Sequence, residues 1–155
     1  MDQELLEVRK RLHTDFGYYA KHALKIRTKE GEIKPLVLNE AQKKLNDAIT
    51  NQYDSEGRVR VIILKARQMG LSTVVGGWLY YWLSQHNAQK GLVITHHSDS
   101  TKALFDMTKR FHDQCPELLK PQTSYSSPHG LGDQVGHQPD GHHQSATERT
   151  DLILG

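Results

Sequence analysis

One cysteine, Cys115, is all the thiol chemistry that 155 residues contain. A lone thiol excludes an internal disulfide framework and fits a reducing compartment. At an expected helix end it reads as a small apolar residue, not a nucleophile. No apolar run approaches the ~20 residues a membrane span needs, and no signal peptide opens the chain. These absences predict an intracellular, soluble protein. The hydrophobic fraction is low at 36%, and the shortage is localised. Residues 122–155 are rich in Gly, His and Gln and lack periodic apolar positions, which predicts disorder. Charge changes at the same place: residues 1–121 carry 19 Lys and Arg against 14 Asp and Glu, and residues 122–155 one against four. A modestly basic front permits nucleic-acid contact without demanding it.

The most informative stretch is Val59 to Thr73. Val59-Arg60-Val61-Ile62-Ile63-Leu64 is short, apolar and β-branched, as a fully buried strand would be. Lys65-Ala66-Arg67-Gln68-Met69-Gly70 then turns into Ser72–Leu83, whose apolar spacing predicts a helix. A strand, a tight loop and a helix N-terminus together suit phosphate, because first-turn N–H groups are unsatisfied and the helix dipole favours an anion. Against the usual G-x-x-x-x-G-K-[ST] pattern, Lys65 stands where the first Gly belongs and Leu71 where the Lys belongs. Ser72 takes the Mg²⁺-binding hydroxyl position, followed by Thr73. A bland crossover with an incidental Gly and Ser has the same spacing. Lys65 argues against it, because a cation leaving an apolar strand is costly without an anion to meet.

Upstream, Asp2–Leu12 and Asp15–Ile26 read as helices, the second capped by Thr14 or Asp15. Phe16, Tyr18 and Tyr19 suit buried packing better than base stacking. Asn39 reads as an N-cap with Gln42 in capping-box position, ahead of Ala41, Leu45, Ala48 and Ile49 at helical spacing. Gln42 has two compatible roles: a cap, or an adenine sensor whose amide donates to one ring nitrogen and accepts from the amino group. Asn51–Arg58 reads as a polar connection. Past the loop, Val74, Val75, Trp78, Leu79, Trp82 and Leu83 form a wide apolar face. Gly76 and Gly77 cost that helix about 1 kcal/mol each relative to Ala, which implies close packing against a sheet. Gly91–Thr95 reads as a second buried strand, and Ser100–Cys115 as a helix with Ala103, Leu104, Met107 and Phe111. His96 and His97 are poor metal ligands together, since strand neighbours point to opposite faces. His129, His137, His142 and His143 lack paired spacing on an ordered element.

Lys65-Ala66-Arg67-Gln68-Met69-Gly70-Leu71-Ser72-Thr73 resembles the variant Walker A loop of the large terminase subunits of tailed bacteriophages. The resemblance extends upstream through Asp15–Lys21 and Lys34–Gln42 and downstream to about Pro121, and it covers only the front part of a terminase. It implies an α/β fold: an incomplete P-loop NTPase domain of the ASCE type with N-terminal helices and a disordered C-terminal tail. Residues 1–52 would be a helical segment bearing the adenine-motif Gln42, residues 53–121 the front of the ATPase core, and residues 122–155 the tail. ATP and Mg²⁺ are the implied cofactors. Residues 65–73 and Gln42 would hold the nucleotide: Lys65 and Arg67 at the β/γ-phosphates, Ser72 at the metal. Implied partners are double-stranded DNA, the portal protein and the small terminase subunit, in the cytoplasm of a bacterial host, with homo-oligomers only for a full-length member. Lys102, Lys109 and Arg110 would then be free for DNA phosphates, although a solvated helix face explains them as well.

The chain departs from that family in one decisive respect. Hydrolysis in this class needs four apolar residues ending in Asp-Glu, the Asp to order Mg²⁺ and the Glu to activate water. No such string follows Gly70, and Glu117 and Asp151 lie in the wrong context. No catalytic residue is identified, turnover is expected to be negligible, and a two-metal nuclease segment is lacking. The change in composition after about Ser127 fits sequence read out of its native frame. Without the family's intervening strands, Val61–Leu64 and Leu92–Ile94 would lack hydrogen-bonding neighbours. A fragment of a helicase-like or other P-loop ATPase, and a non-catalytic nucleotide- or DNA-binding prophage remnant, are the alternative readings.

Overall fold

A computed structural model describes residues 3–65, 68–86, 89–95, 98–121, 125–127, 130–132 and 151–154. The chain divides into two compact units, Met1–Trp78 and Leu79–Gly155.

In the first unit, α1 (Gln3–Thr14) buries no residue of its own. Asp15 caps α2 (Phe16–Ala23), its carboxylate accepting from the Tyr18 N–H at 2.9 Å. This helix stops at Ala23, short of the expected Ile26. Leu24 is extended, and Lys25–Arg27 form β1, antiparallel to β2 (Ile33–Pro35), with Ile26 opposite Lys34. The turn explains the early stop. Gly31 adopts φ +89°, and Thr28 N–H to Glu32 O at 2.8 Å closes the hairpin. Glycine tolerates that left-handed backbone where other residues are strained.

Asn39 caps α3 (Glu40–Glu56) in a complete capping box, and Gly57 ends it at φ +66°. The helix therefore runs through most of the expected connection at 51–58. α4 (Leu71–Gln85) crosses the division, its first eight residues belonging to the first unit. There Tyr19, Leu24, Leu36 and Val74 are fully enclosed, with Phe16, Leu45, Ile49 and Leu71 also buried. A methyl group on Gly77 would sit 3.1 Å from Leu24 Cδ1 and 3.4 Å from Leu36 Cδ2. The expected close packing at this glycine is therefore against the end of α2 and the residue after β2, not against a broad sheet.

Val59–Leu64 is not the expected strand. The expected want of a hydrogen-bonding neighbour holds for Val61–Leu64 among the described residues, but not for Leu92 and Val93, which pair with Ile153 and Leu154. In Val59–Leu64, Ile62 and Leu64 are 100% and 101% exposed. A β-branched run becomes a strand only where a neighbour completes its ladder. Among the described residues none pairs with it; the first unit's sheet is the β1–β2 hairpin.

The second unit holds the rest of α4, then β3 (Lys90–Val93), α5 (Ser98–Gln114) and a 3₁₀ turn at Glu117–Leu119. β4 (Tyr125–Ser127), β5 (Gly130–Gly132) and β6 (Asp151–Leu154) follow, in the sheet order β3-β6-β5-β4. β3 and β6 are parallel, with Gly91 opposite Leu152; the other pairs are antiparallel. Three pieces of the segment expected to be disordered are thus strands, and Leu152-Ile153-Leu154 is too short a run to register as a pattern. Gly91 is buried while Leu92 and Ile94 are exposed, so β3 is covered on one face only. Leu83 and Phe105 form a small core with Leu79 and Val93 beside them. Deeper along α5, Phe111 and His112 are buried, and the Tyr80 hydroxyl lies 3.2 Å from His112 Nδ1. Cys115 is buried, in keeping with a small apolar role. No described helix is long and apolar enough to cross a membrane.

Candidate functional site

The site is built where α3 begins and α4 begins, both within the first unit. Asn39 and Gln42 serve the capping box reciprocally. Asn39 Oδ1 accepts from the Gln42 N–H at 3.0 Å, and Gln42 Oε1 accepts from the Asn39 N–H at 2.9 Å. The other end of the Gln42 amide reaches across to the loop, where Nε2 donates to the Gly70 carbonyl at 2.9 Å. Asn39 Nδ2 makes a longer contact of 3.4 Å with the Met69 carbonyl. A third tie comes from the hairpin turn, where Lys29 Nζ donates to Gln68 Oε1 at 2.9 Å. Three polar side chains distant in sequence thus converge on 68–70.

The loop backbone is tightly bent. Gly70 has φ +69°, and Gln68 has φ +64°, the one positive value at a non-glycine among the described residues. A left-handed non-glycine costs of order 1–3 kcal/mol and persists only where its surroundings enforce it. Gly70 also opens α4, its carbonyl accepting from the Val74 N–H at 3.2 Å. The first-turn N–H groups of the helix have no intrahelical carbonyl to meet, and the dipole there favours an anion.

The predicted site residues therefore have different fates. Gln42, Gln68, Met69 and Gly70 come together. Leu71, at the position of the lysine in the usual pattern, is buried and anchors the start of α4. Ser72 is exposed on the first turn and Thr73 is half-buried. Lys65 is exposed and meets no partner among the described residues. Ala66 and Arg67 lie outside the described residues, as do His96, His97 and the four histidines beyond residue 128. First-turn helix N–H groups, an exposed lysine and an exposed hydroxyl are donor types that suit a magnesium-bound triphosphate. No group of three or more His, Cys, Asp or Glu that could hold a metal occurs among the described residues.

Lys29 was not legible as a site residue. Lys29-Glu30-Gly31-Glu32 looks like any polar turn, and its partner lies 39 residues away, beyond the reach of a local pattern. The second role of Asn39 was hidden for the same reason, since its capping signature already accounts for it.

Compared with protein-family models and with curated proteins, the chain matches none.

Proposed function

We propose that residues 65–73 form a phosphate loop and that the chain binds ATP with Mg²⁺ as the front part of a terminase-like ATPase domain. The observation that supports this most is the contact of Gln42 with Gly70. The glutamine singled out upstream for the nucleotide lies against the very end of the loop singled out for the phosphates. In this reading Lys65 meets the β/γ-phosphates, first-turn amides of α4 cradle them, and Ser72 touches the metal ion. Arg67 would add a second cation. Double-stranded DNA, a portal protein and a small terminase subunit are the partners that the terminase resemblance adds, in the cytoplasm of a bacterial host.

No turnover is assigned to these residues, because no run of four apolar residues ending in Asp-Glu follows Gly70 in this sequence to order the metal and activate water. A second reading, a nucleotide-binding remnant that never hydrolyses, is favoured by the uncovered Val61–Leu64. Titration with Mg-ATP tests the binding claim common to both. Lys65→Ala should weaken affinity about five- to tenfold, a loss of ~1–1.4 kcal/mol. Unchanged affinity would remove Lys65 from the site, and hydrolysis that Lys65→Ala abolishes would overturn the inactive reading.

A further inference from the structure

We infer that Gln42 is a positioning residue for the phosphate loop, acting on the phosphate end of a ligand whatever base it carries. This rests on reading residues 65–73 as that loop. The geometry departs from a free base reader. Gln42 is buried at 6% exposure, and both ends of its amide are engaged, Oε1 by the Asn39 N–H and Nε2 by the Gly70 carbonyl. One lone pair and one N–H remain for any other contact. The carbonyl it holds is the one that starts α4, since Gly70 O also accepts from Val74 N–H. Fixing that carbonyl fixes the peptide plane at the helix entrance, and with it the direction of the next N–H. Residue 70 is constrained from the same side: a Cβ there would lie 2.6 Å from Gln42 Nε2. The Asn39 contact with the Met69 carbonyl supports the same peptide run. Gln42 is thus a strut from the rigid N-terminus of α3 to the phosphate end of the loop.

Gln42→Glu removes the donor to Gly70 and adds a negative charge there, so the uncharged Gln42→Met, of similar volume, is measured beside it. Glutamate serves a capping box as well as glutamine does, so the bond to the Asn39 N–H survives while the donor to Gly70 is lost. Two ligands, Mg-ATP and Mg-bound inorganic triphosphate, are titrated against wild type and both variants. Amide exchange at Val74, without ligand, reports whether the Gly70 carbonyl still holds its place. The strut predicts that both affinities fall by a similar factor of about ten and that Val74 protection falls with them. If ATP binding weakens while triphosphate binding and Val74 protection are unchanged, Gln42 reads only the base and the inference is overturned. Wild type that binds neither ligand overturns the phosphate reading itself; Val74 protection then decides separately whether Gln42 holds the loop. Similar losses in Gln42→Met and Gln42→Glu assign the effect to the missing donor, whereas affinity and Val74 protection lost in Gln42→Glu alone assign it to the added charge and overturn the inference.

Discussion

Substituting Gly70 by alanine perturbs two things at once, and the structure lets them be separated. The first is backbone. At φ +69° a Cβ costs roughly 1–2 kcal/mol, because it crowds the following carbonyl. The second is contact. The new methyl would fall 2.6 Å from Gln42 Nε2, closer than real Cβ atoms approach, so the amide must move and release the Gly70 carbonyl. One net hydrogen bond of this kind is worth about 0.5–1.5 kcal/mol. Gly70→Ala should therefore lower unfolding free energy by about 2–3 kcal/mol. Made in a Gln42→Ala background, the same change should cost only the backbone part, about 1–2 kcal/mol. The coupling between the sites would then be about 1 kcal/mol, which a double-mutant cycle resolves. Urea unfolding of the four proteins at constant slope supplies the numbers. Strict additivity would mean that the two groups do not meet, and that the Gln42 amide does not hold the Gly70 carbonyl.

Other outcomes follow from single features. Gly77→Ala should be close to neutral, since a helix-propensity gain of about 1 kcal/mol offsets the crowding at Leu24. Gly77→Val should destabilise by about 1–3 kcal/mol through overpacking, and denaturant midpoints decide. Burial is the main cause holding the His112 pKa below the ordinary histidine value of 6.5, with Lys120 the next contributor; Asp113 and Glu117 oppose it. The unfolded chain then binds the proton more readily than the native one, so stability is full above about pH 6.5 and declines as pH falls through the lowered value. Urea midpoints at pH 7.5 and 5 should differ, and His112→Gln should shrink that difference. Ile62→Lys with Leu64→Lys should leave stability within about 0.5 kcal/mol per site, because both side chains are in solvent. The pair should also reduce light scattering from self-association; a large loss of stability would show that these residues are packed.

What could be read from residue order follows the range of the physics involved. The Asn39–Gln42 capping box spans three residues and depends on nothing beyond them, so its spelling sufficed. The same holds for Asp15 as a cap, and for α4 and α5, whose apolar spacing recurs every three or four residues. The end of α2 was harder, because Ile26 keeps the helical phase while Gly31, five residues on, permits a hairpin that takes Lys25–Arg27 out of the helix. Val59–Leu64 shows the limit. Composition records what a segment favours, and a strand also needs an edge that only another segment can supply. Within the candidate site, the Asn39–Gln42 capping signature and the helix that follows Gly70 were legible, and the ties to the loop from Lys29, Asn39 and Gln42, which span 39, 30 and 28 residues, were not.

The two ends of the proposed loop are unequally held, and this bears on how strongly it can bind. Its C-terminal end is fixed by buried Leu71 and Val74 and by the Gln42 strut. Its N-terminal end, bearing Lys65, continues from Val61–Leu64, which no backbone hydrogen bond holds among the described residues. Burying such aliphatic side chains fully is worth about 1.5–3 kcal/mol each, and that gain is unrealised at Ile62 and Leu64. Fixing backbone costs about 1–2 kcal/mol per residue, so an anion that draws Lys65 into place must offset part of that cost from its own contacts. A charged hydrogen bond worth about 1.5–3 kcal/mol should then register as less, which is why the effect expected for Lys65→Ala is five- to tenfold and not a hundredfold. The same asymmetry predicts that Ile62→Pro, which stiffens the approach to Lys65 without touching the loop, alters ATP affinity while Val74 amide protection stays unchanged. Equal effects on both would mean that the two ends of the loop are held as one.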